Sequence, residues 1–331
     1  MKQFPIFKVA IGLFVAFFLF SGYGLGIILP PIPINTEPVL IKRGATAEDI
    51  AISLKKQNII RSKHFFVWAV YIGGIENRLA AGKFIFSEPM SLFNVIRLVS
   101  APQKETMILV PEGADSVDIK ESLARNNMPA SASFLQTVKK YKPEGHLFIS
   151  SIPREKTIEG FLFPDTYRFY EYADATEIID TMVENFSIKI EPLLPEVASS
   201  SKSLYDIIIL ASILEREVQT PEDKAVVAGI LEARLEKKML LQVDATLAYE
   251  IGKGSKDLTL DDLARDTPFN TYVHKGLPPG PIGNPGLEAI KAVLHPTPSP
   301  YLFYLSDKEG VTHYARTFDE HKKNKAKYLA N

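Results

Sequence analysis

The chain has 331 residues, of which 46% are hydrophobic and 23% are charged, with a formal net charge of −1 and no cysteine. Its 20 phenylalanines and 13 tyrosines exclude a disordered chain, because such chains lack the apolar surface needed to form a core. The near-neutral charge argues against a dedicated nucleic-acid binder, which carries a basic excess. The absence of cysteine excludes disulfides, thiolate metal sites and thiol catalysis, and the length predicts about two domains.

An uncharged apolar segment over residues 9–29 dominates the N-terminus. About 20 apolar residues in a helix span the hydrocarbon core of a bilayer; Lys2 and Lys8 precede the segment, and a proline-rich stretch follows from Pro30. The positive flank predicts that residues 1–8 stay in the cytoplasm and that the rest of the chain crosses the membrane. The alternatives are a cleavable signal peptide, for which the segment is long, and a buried core helix. We expect a single-pass protein of the cell (inner) membrane whose bulk is periplasmic or otherwise extracytoplasmic.

Residues 39–100 predict a small α/β module. Thr46 is placed to cap a helix with an acidic first turn, and Ile50, Leu54 and the isoleucine pair at 59–60 give that helix an apolar face. The other elements predicted in the module are strands over 39–41 and 81–86 and helices over 63–72 and 91–99.

Residues 105–331 predict a larger mixed domain, so the expected fold class is α+β. A strand over 107–110 opens this domain, and its main predicted helices lie over 116–125, 175–186, 204–217, 221–238 and 287–293. The expected organisation is a cytoplasmic N-terminus (1–8), a transmembrane helix (9–29), a small module (39–100) and a large C-terminal domain (105–331).

The segment 206–220, DIIILASILEREVQT, predicts a buried helix whose end turns polar. Its Glu215 and Glu217 are two residues apart, about 200° around a helix, and therefore face opposite ways. One of the two carboxylates should point towards a cleft in the protein body, where desolvation raises the pKa and suits a general acid. The competing interpretation is a helix end that reaches solvent.

Three other segments carry polar groups that suit ligand binding. The loop over 266–295 is rigid because it is rich in proline and glycine, and it presents Asn270 and Tyr272 as part of a binding surface or of an ordered surface loop. Residues 159–167, EGFLFPDTY, combine two carboxylates with aromatic rings, as a sugar site or a packed strand-turn does. Residues 242–246 place polar groups after a predicted helix. The sequence contains no nucleotide-binding, serine-hydrolase or zinc motif.

Six segments follow one another in a specific order: EGFLFPDTY (159–167), ILASILERE (209–217), LQVDATLAY (241–249), TPFNTYVHKGLPPGPIGNPG (267–286), AIKAVLHPTPSPYLFYL (289–305) and HYARTFDEH (313–321). Together they resemble the YceG-like family of membrane-anchored endolytic murein transglycosylases. The resemblance covers essentially the whole chain, and residues 39–100 resemble the LysM-like subdomain of that family. Mild departures from the family pattern occur at Glu250, Ala315 and Arg316.

The resemblance implies cleavage of peptidoglycan strands between N-acetylmuramic acid and N-acetylglucosamine with a 1,6-anhydro end. It also implies termination of nascent strands beside cell-wall synthases, the penicillin-binding proteins. The essential glutamate of the family lies in the motif matched by ASILERE, and we assign it to Glu217, with Glu215 as the runner-up. One carboxylate suffices, because after protonating the glycosidic oxygen it can deprotonate the C6 hydroxyl that attacks C1 of the same sugar. We expect no metal, no organic cofactor and no nucleic-acid partner.

The residues expected to position the N-acetyl group and the sugar hydroxyls are Gln242, Asp244, Thr246, Asn270 and Tyr272, and Glu159 and Asp165 are further substrate-binding candidates. Two other functions stay open. One is a non-catalytic envelope protein that binds glycans or acts as a scaffold. The other is a hydrolase that pairs Glu217 with Glu159 or Asp165, since ordinary glycosidases use two carboxylates.

Overall fold

The computed structural model describes residues 37–42, 44–86, 88–101, 104–143 and 145–329. The chain divides into two compact units, one up to Glu105 and one from Thr106 onwards. The predicted transmembrane helix over 9–29 lies outside the described residues. Within them, no single helix is long and apolar enough to cross a membrane, and one pair of helices, Ala175–Ser199 and Leu204–Glu217, meets the length and composition requirement only with a 114° bend between its halves.

The first unit contains two short strands and three helices among its described residues. In chain order these are β1 (Val39–Ile41), α1 (Ala47–Lys56), α2 (Lys63–Ile72), a 3₁₀ turn (Glu76–Arg78), β2 (Gly82–Phe84) and α3 (Leu92–Val99). The strands pair antiparallel, with Leu40 opposite Lys83. The predicted strand over 39–41 and helix over 63–72 are confirmed at both ends, whereas the strand predicted over 81–86 is shorter.

Local capping fixes where the helices of the first unit begin. The Thr46 hydroxyl accepts a hydrogen bond from the Asp49 N–H (3.2 Å), and the Asp49 carboxylate accepts one from the Thr46 N–H (3.0 Å), which is a complete capping box. Helix α1 ends at Lys56, so the isoleucine pair at 59–60 is buried in the core beyond the helix and is not part of its face.

The second unit is mostly helical. Its strands are β3 (Glu105–Leu109, which begins at the last residue of the first unit), β4 (Thr166–Tyr170), β5 (Phe303–Ser306) and β6 (Thr312–Ala315); β3 pairs with β4, and β5 with β6. Its helices are α4 (Ser116–Arg125), α5 (Phe134–Lys140), α6 (Ala175–Ile190), α7 (Leu194–Ser199), α8 (Leu204–Glu217), α9 (Pro221–Glu236), α10 (Asp244–Ile251), α11 (Leu260–Leu263), α12 (Leu287–Leu294) and α13 (Phe318–Tyr328). Further 3₁₀ turns cover Pro129–Ala132, Leu147–Ser151, Glu191–Leu193 and Ser255–Asp257. The small sheets and many helices confirm a mixed α/β fold.

Helix α8 is the central helix of the second unit. Ser203 caps it by accepting a hydrogen bond from the Asp206 N–H (3.1 Å), and every residue from Leu204 to Leu214 except Asp206 is buried. It packs against α9, α10 and α12. Because the helix is buried on all sides and ends where Val218 becomes extended, its last turn is held rigidly inside the unit.

The buried side chain of Asn284 joins three segments that are far apart in sequence. Its Oδ1 accepts a hydrogen bond from the Leu162 N–H (2.8 Å), and its Nδ2 donates to the Ala114 carbonyl (2.8 Å) and to Glu159 Oε1 (3.0 Å). Its backbone N–H also donates to Ala114 (2.9 Å), and its carbonyl accepts from the Gly113 N–H (2.8 Å). The proline-rich loop is thereby fastened to the loop before α4 and to the EGFLFP segment.

Gly160 permits the closest approach of that segment to the proline-rich loop. Its φ is +91°, and a Cβ atom there would lie 2.6 Å from Pro281 Cγ and 2.8 Å from Ile208 Cγ2. Gly252 has a similar φ of +66° but no atom within 4 Å of such a Cβ. The two glycines therefore share the left-handed backbone and differ in packing.

We predict that Gly252→Ala costs about 1 kcal/mol of unfolding free energy, the penalty of a left-handed alanine. Gly160→Ala should cost about 1–3 kcal/mol more, because its methyl group also overpacks the core. Urea unfolding of the two variants measures the difference. Equal losses would show that the contact with Pro281 is not a constraint.

Candidate active site

The two glutamates at the end of α8 have different environments. Glu215 is almost completely buried, and its carboxylate forms an ion pair with the equally buried Lys224 (2.5 Å) and accepts a hydrogen bond from the Gly286 N–H (3.1 Å). Both carboxylate oxygens of Glu215 are therefore engaged inside the protein. This arrangement makes Glu215 a structural residue that connects α8, α9 and the start of α12.

Glu217 lines a cavity of about 530 Å³. Its Oε2 accepts a hydrogen bond from the Tyr304 hydroxyl (3.1 Å). Burial raises the pKa of Glu217 to about 7, and the negative charge of Asp244 acts in the same direction, while the hydrogen bonds from Tyr304 and from the Ala245 backbone oppose it. At neutral pH a large fraction of this carboxyl group is protonated, as a general acid requires.

The cavity walls come from distant parts of the second unit. The residues that line it include Arg216, Arg234, Gln242, Asp244, Tyr272, Phe303, Tyr304, Phe318, His321 and Lys325. Arg234 on α9 holds two of these walls together, because it donates hydrogen bonds to the carbonyls of Leu302 (2.7 Å) and Leu241 (2.7 Å). Its guanidinium also lies 4.9 Å from the centre of the Phe303 ring. Strand β5, which carries Tyr304, is thus fixed to the segment that leads into Gln242.

Three of the predicted substrate-binding residues line the same cavity as Glu217. Gln242 and Asp244 are exposed, and the Tyr272 hydroxyl donates a hydrogen bond to Asp244 Oδ1 (2.6 Å). Burial and the neighbouring Asp244 raise the pKa of Tyr272, so its hydroxyl stays protonated. The cavity therefore combines one acid, one further carboxylate and several hydrogen-bonding groups.

Thr246 and Asn270 are fully buried, and their side chains form hydrogen bonds within the protein. The Thr246 hydroxyl donates to the Val243 carbonyl (2.8 Å) and lies 3.1 Å from the Thr271 hydroxyl. Asn270 donates to the carbonyls of residues 263 and 265 and accepts a hydrogen bond from the Tyr272 N–H (2.9 Å). Both side chains use their hydrogen-bonding groups within the protein, and Asn270 sets the position of Tyr272.

Glu159 and Asp165 lie outside the residues that line this cavity. Glu159 is buried, and it accepts hydrogen bonds from the Ser116 N–H (3.1 Å), the Ser116 hydroxyl (2.6 Å) and Asn284 Nδ2. Burial raises its pKa to about 7, against the effect of the bonds from Ser116. Asp165 is exposed and accepts from Asn185 Nδ2 (3.1 Å). The structure therefore gives neither residue the position that a second carboxylate beside Glu217 needs.

Sequence reasoning did not single out Tyr304, Arg234 or His321. Tyr304 lies 87 residues after Glu217, so no local pattern in the sequence indicates that its hydroxyl reaches that carboxyl group. The His321 ring stacks on Phe303, with 5.5 Å between ring centres, and its buried Nδ1 has no hydrogen-bond partner among the described residues. In the same part of the chain, no three histidine, aspartate or glutamate side chains gather to hold a metal ion.

The model of the YceG-like family matches residues 39–327. The chain belongs to the YceG-like family. A crystal structure of a yceG-like protein from Listeria monocytogenes is similar to it, with a TM-score of 0.60 and 28% sequence identity over 86% of this chain and 98% of that one. The YceG-like fold of this chain is thus shared with an experimentally determined relative.

Two curated YceG-like relatives are named endolytic murein transglycosylases. The protein from Bacillus subtilis is 30% identical over 90% of this chain and 86% of its own length. The protein from Streptococcus pneumoniae is 28% identical over 98% of this chain, which spans 65% of that longer relative.

The environments of the two glutamates predict effects of different size on stability. Glu215→Gln should lower the unfolding free energy by about 3 kcal/mol, because it leaves Lys224 as a buried cation without its main partner. Glu217→Gln should change it by less than about 1 kcal/mol, because the carboxyl group it replaces is already partly neutral at pH 7. Urea unfolding at pH 7 compares the two variants. A larger loss for Glu217→Gln would contradict the assignment of Glu215 as the structural residue.

Proposed function

We propose that this chain is an endolytic murein transglycosylase that cleaves peptidoglycan strands between N-acetylmuramic acid and N-acetylglucosamine and leaves a 1,6-anhydro end. The observation that carries the proposal is the cavity with Glu217 as its half-buried acid, whose pKa lies near 7. The names of the relatives from Bacillus subtilis and Streptococcus pneumoniae support the same activity.

In the first step Glu217 acts as a general acid. Its proton passes to the glycosidic oxygen, and the bond from that oxygen to C1 of the muramic acid residue breaks. Tyr304 keeps donating its hydrogen bond to Glu217, because burial and the adjacent carboxylate raise the pKa of Tyr304 well above its usual value. The carboxylate that forms is therefore stabilised by a fixed donor at the moment when charge develops on it.

In the second step the same carboxylate acts as a base. It takes the proton of the C6 hydroxyl, whose oxygen bonds to C1 of the same sugar, so Glu217 returns to its protonated form and no water is consumed. The intramolecular attack benefits from proximity. Gln242, Asp244 and Tyr272 line the cavity, which supports a role for them in holding the sugar hydroxyls and the N-acetyl group during this exchange.

Hydrolysis is the second candidate, and Asp244 is the observation that favours it. This carboxylate lines the same cavity as Glu217 and influences its pKa. A carboxylate opposite the acid can activate a water molecule, as in inverting glycosidases. The pairing with Glu159 or Asp165 that the sequence suggested lacks such a placement.

Mass spectrometry of glycan strands digested by the full chain separates these activities. Anhydro ends support the transglycosylase, reducing ends heavier by one water support the hydrolase, and intact strands support a non-catalytic scaffold. Glu217→Gln should lower the rate by about 10²–10⁴-fold, the usual contribution of a general acid. Glu215→Gln, assayed where it is still folded, should keep most of its activity. The assignment fails if Glu215→Gln is inactive while Glu217→Gln cleaves normally.

The pH dependence of the rate tests how the protein tunes the acid. Activity requires protonated Glu217 and should fall as the pH rises through about 7. Tyr304→Phe removes a hydrogen bond that lowers the pKa, so the alkaline limb should move to higher pH. Asp244→Asn removes a charge that raises the pKa, so the limb should move to lower pH. If the alkaline limbs of the two variants shift in the same direction, or do not shift, this explanation of the pKa of Glu217 is wrong.

We also propose that residues 9–29 form the membrane anchor, with residues 1–8 cytoplasmic and the rest periplasmic or otherwise extracytoplasmic. The uncharged apolar composition of the segment and its positive flank support this topology. On the basis of the family resemblance, we propose that residues 39–100 form a LysM-like module and that residues 105–331 form the YceG-like catalytic domain. The strand-helix-helix-strand order of β1, α1, α2 and β2 supports the module. Penicillin-binding proteins are the proposed synthase partners of a strand-terminating enzyme.

A further inference from the structure

Helix α2 of the first unit is apolar on both sides, but only one side is covered. Phe66 and Val70 on the inner side are fully buried in the core. On the outer side Trp68, Tyr71 and Ile72 are exposed by 55%, 60% and 68%. A helix that is apolar all round is ordinarily buried all round, so this outer side is an exception that calls for an occupant.

The three exposed residues and the partly buried Phe65, which also packs against the core, form one continuous stripe. Phe65, Trp68 and Ile72 follow a spacing of three and four residues, which aligns them along one face of the helix, and Tyr71 flanks them. The rings of Phe65 and Trp68 lie 5.2 Å apart and form a single apolar surface. We call these four residues the α2 stripe. Contiguous apolar patches of this kind mark contact surfaces more often than isolated exposed side chains do.

The chemistry of the α2 stripe fits the interface of a lipid bilayer. Tryptophan and tyrosine concentrate where a membrane meets water, because an apolar ring body carries a polar tip. Lys63 adjoins the stripe at the start of the helix; it lies 3.8 Å from Glu48, and its positive charge favours anionic headgroups. A sugar site, by contrast, is concave and combines rings with several convergent hydrogen-bonding groups. The stripe lies on the outer surface of a helix.

The chain also keeps this surface close to a bilayer. The proposed anchor ends at residue 29, and β1 begins at Val39. The intervening residues 30–38 can extend over about 30 Å at most, at 3.3–3.6 Å per residue. The first unit is therefore tethered within one domain diameter of the membrane surface. A weak apolar contact suffices under such a tether, because the tether supplies a high effective concentration.

We propose that the α2 stripe lies on the outer surface of the membrane that holds the anchor, with Trp68 at the interface. The inference rests on the anchor proposed above and is independent of the activity of Glu217. Its consequence is that the first unit is a membrane-docked platform and not a freely rotating module.

Trp68 is the only tryptophan in the chain, so intrinsic fluorescence reports on the stripe alone. The experiment places the full chain in vesicles of phosphatidylethanolamine and phosphatidylglycerol, with or without bromine on the acyl chains near the headgroup. We expect emission at shorter wavelength than in detergent solution, loss of intensity with the brominated lipids, and protection from aqueous acrylamide. A double variant, Tyr71→Ser with Ile72→Ser, should weaken all three effects.

Leu40→Ser is the matched control. Leu40 is 56% exposed, like Trp68, but it points away from the core on the opposite side of the β1–β2 pair, since its neighbours Val39 and Ile41 are buried. This substitution should leave the Trp68 signals unchanged. The serine variants alter only exposed side chains, so they should fold normally, and circular dichroism checks this.

Several outcomes would overturn the proposal. If the chain floats together with the vesicles but Trp68 is quenched by acrylamide and not by brominated lipid, the proposed anchor is supported and the proposed docking of the α2 stripe is wrong. If the chain does not float with the vesicles, the proposed anchor and the proposed docking are both wrong. The cleavage assay still reports separately on the enzymatic activity. If soluble glycan fragments shift the emission without lipid, the stripe binds sugar. If Trp68 becomes protected as chain concentration rises in detergent, the occupant is a second copy.

Discussion

The buried amide of Asn284 is the contact on which the packing of the second unit depends. One side chain satisfies the Leu162 N–H, the Ala114 carbonyl and the Glu159 carboxylate at once, and it thereby joins its own loop to two distant stretches of chain. A buried polar group of this kind is costly unless all its partners are present, so only one mutual arrangement of the three stretches is stable. The proline-rich loop is rigid for this reason as well as for its prolines.

The neighbours of Glu215 and Glu217 likewise give these two residues of α8 different roles. Both carboxylate oxygens of Glu215 are engaged inside the protein, one by Lys224 and one by the Gly286 N–H, which suits a structural residue. For Glu217, burial makes the ionised form less favourable and raises the pKa to about 7. Two identical side chains thus acquire different chemistry from their neighbours alone.

Much of the fold was predictable from sequence, because strong local signals mark it. The boundaries of α2, α4 and α8 follow from caps and from runs of apolar residues. The site was predictable only in part. Sequence indicates that Glu215 and Glu217 diverge, but which of them meets the cavity depends on how α8 is rotated against its neighbours. Asn270 and Thr246 carry suitable groups, yet the loop itself uses them, and hydrogen-bond satisfaction is invisible in a linear pattern.

The packing of α8 constrains its length. The helix is fixed at Ser203 by its cap and along its whole buried body by packing, so its last turn cannot swivel. Inserting one residue upstream of Glu215 would advance the register by one position, setting Arg216 where the acid now stands and Leu214 against Lys224. Homologous proteins should therefore show no insertions or deletions within this helix.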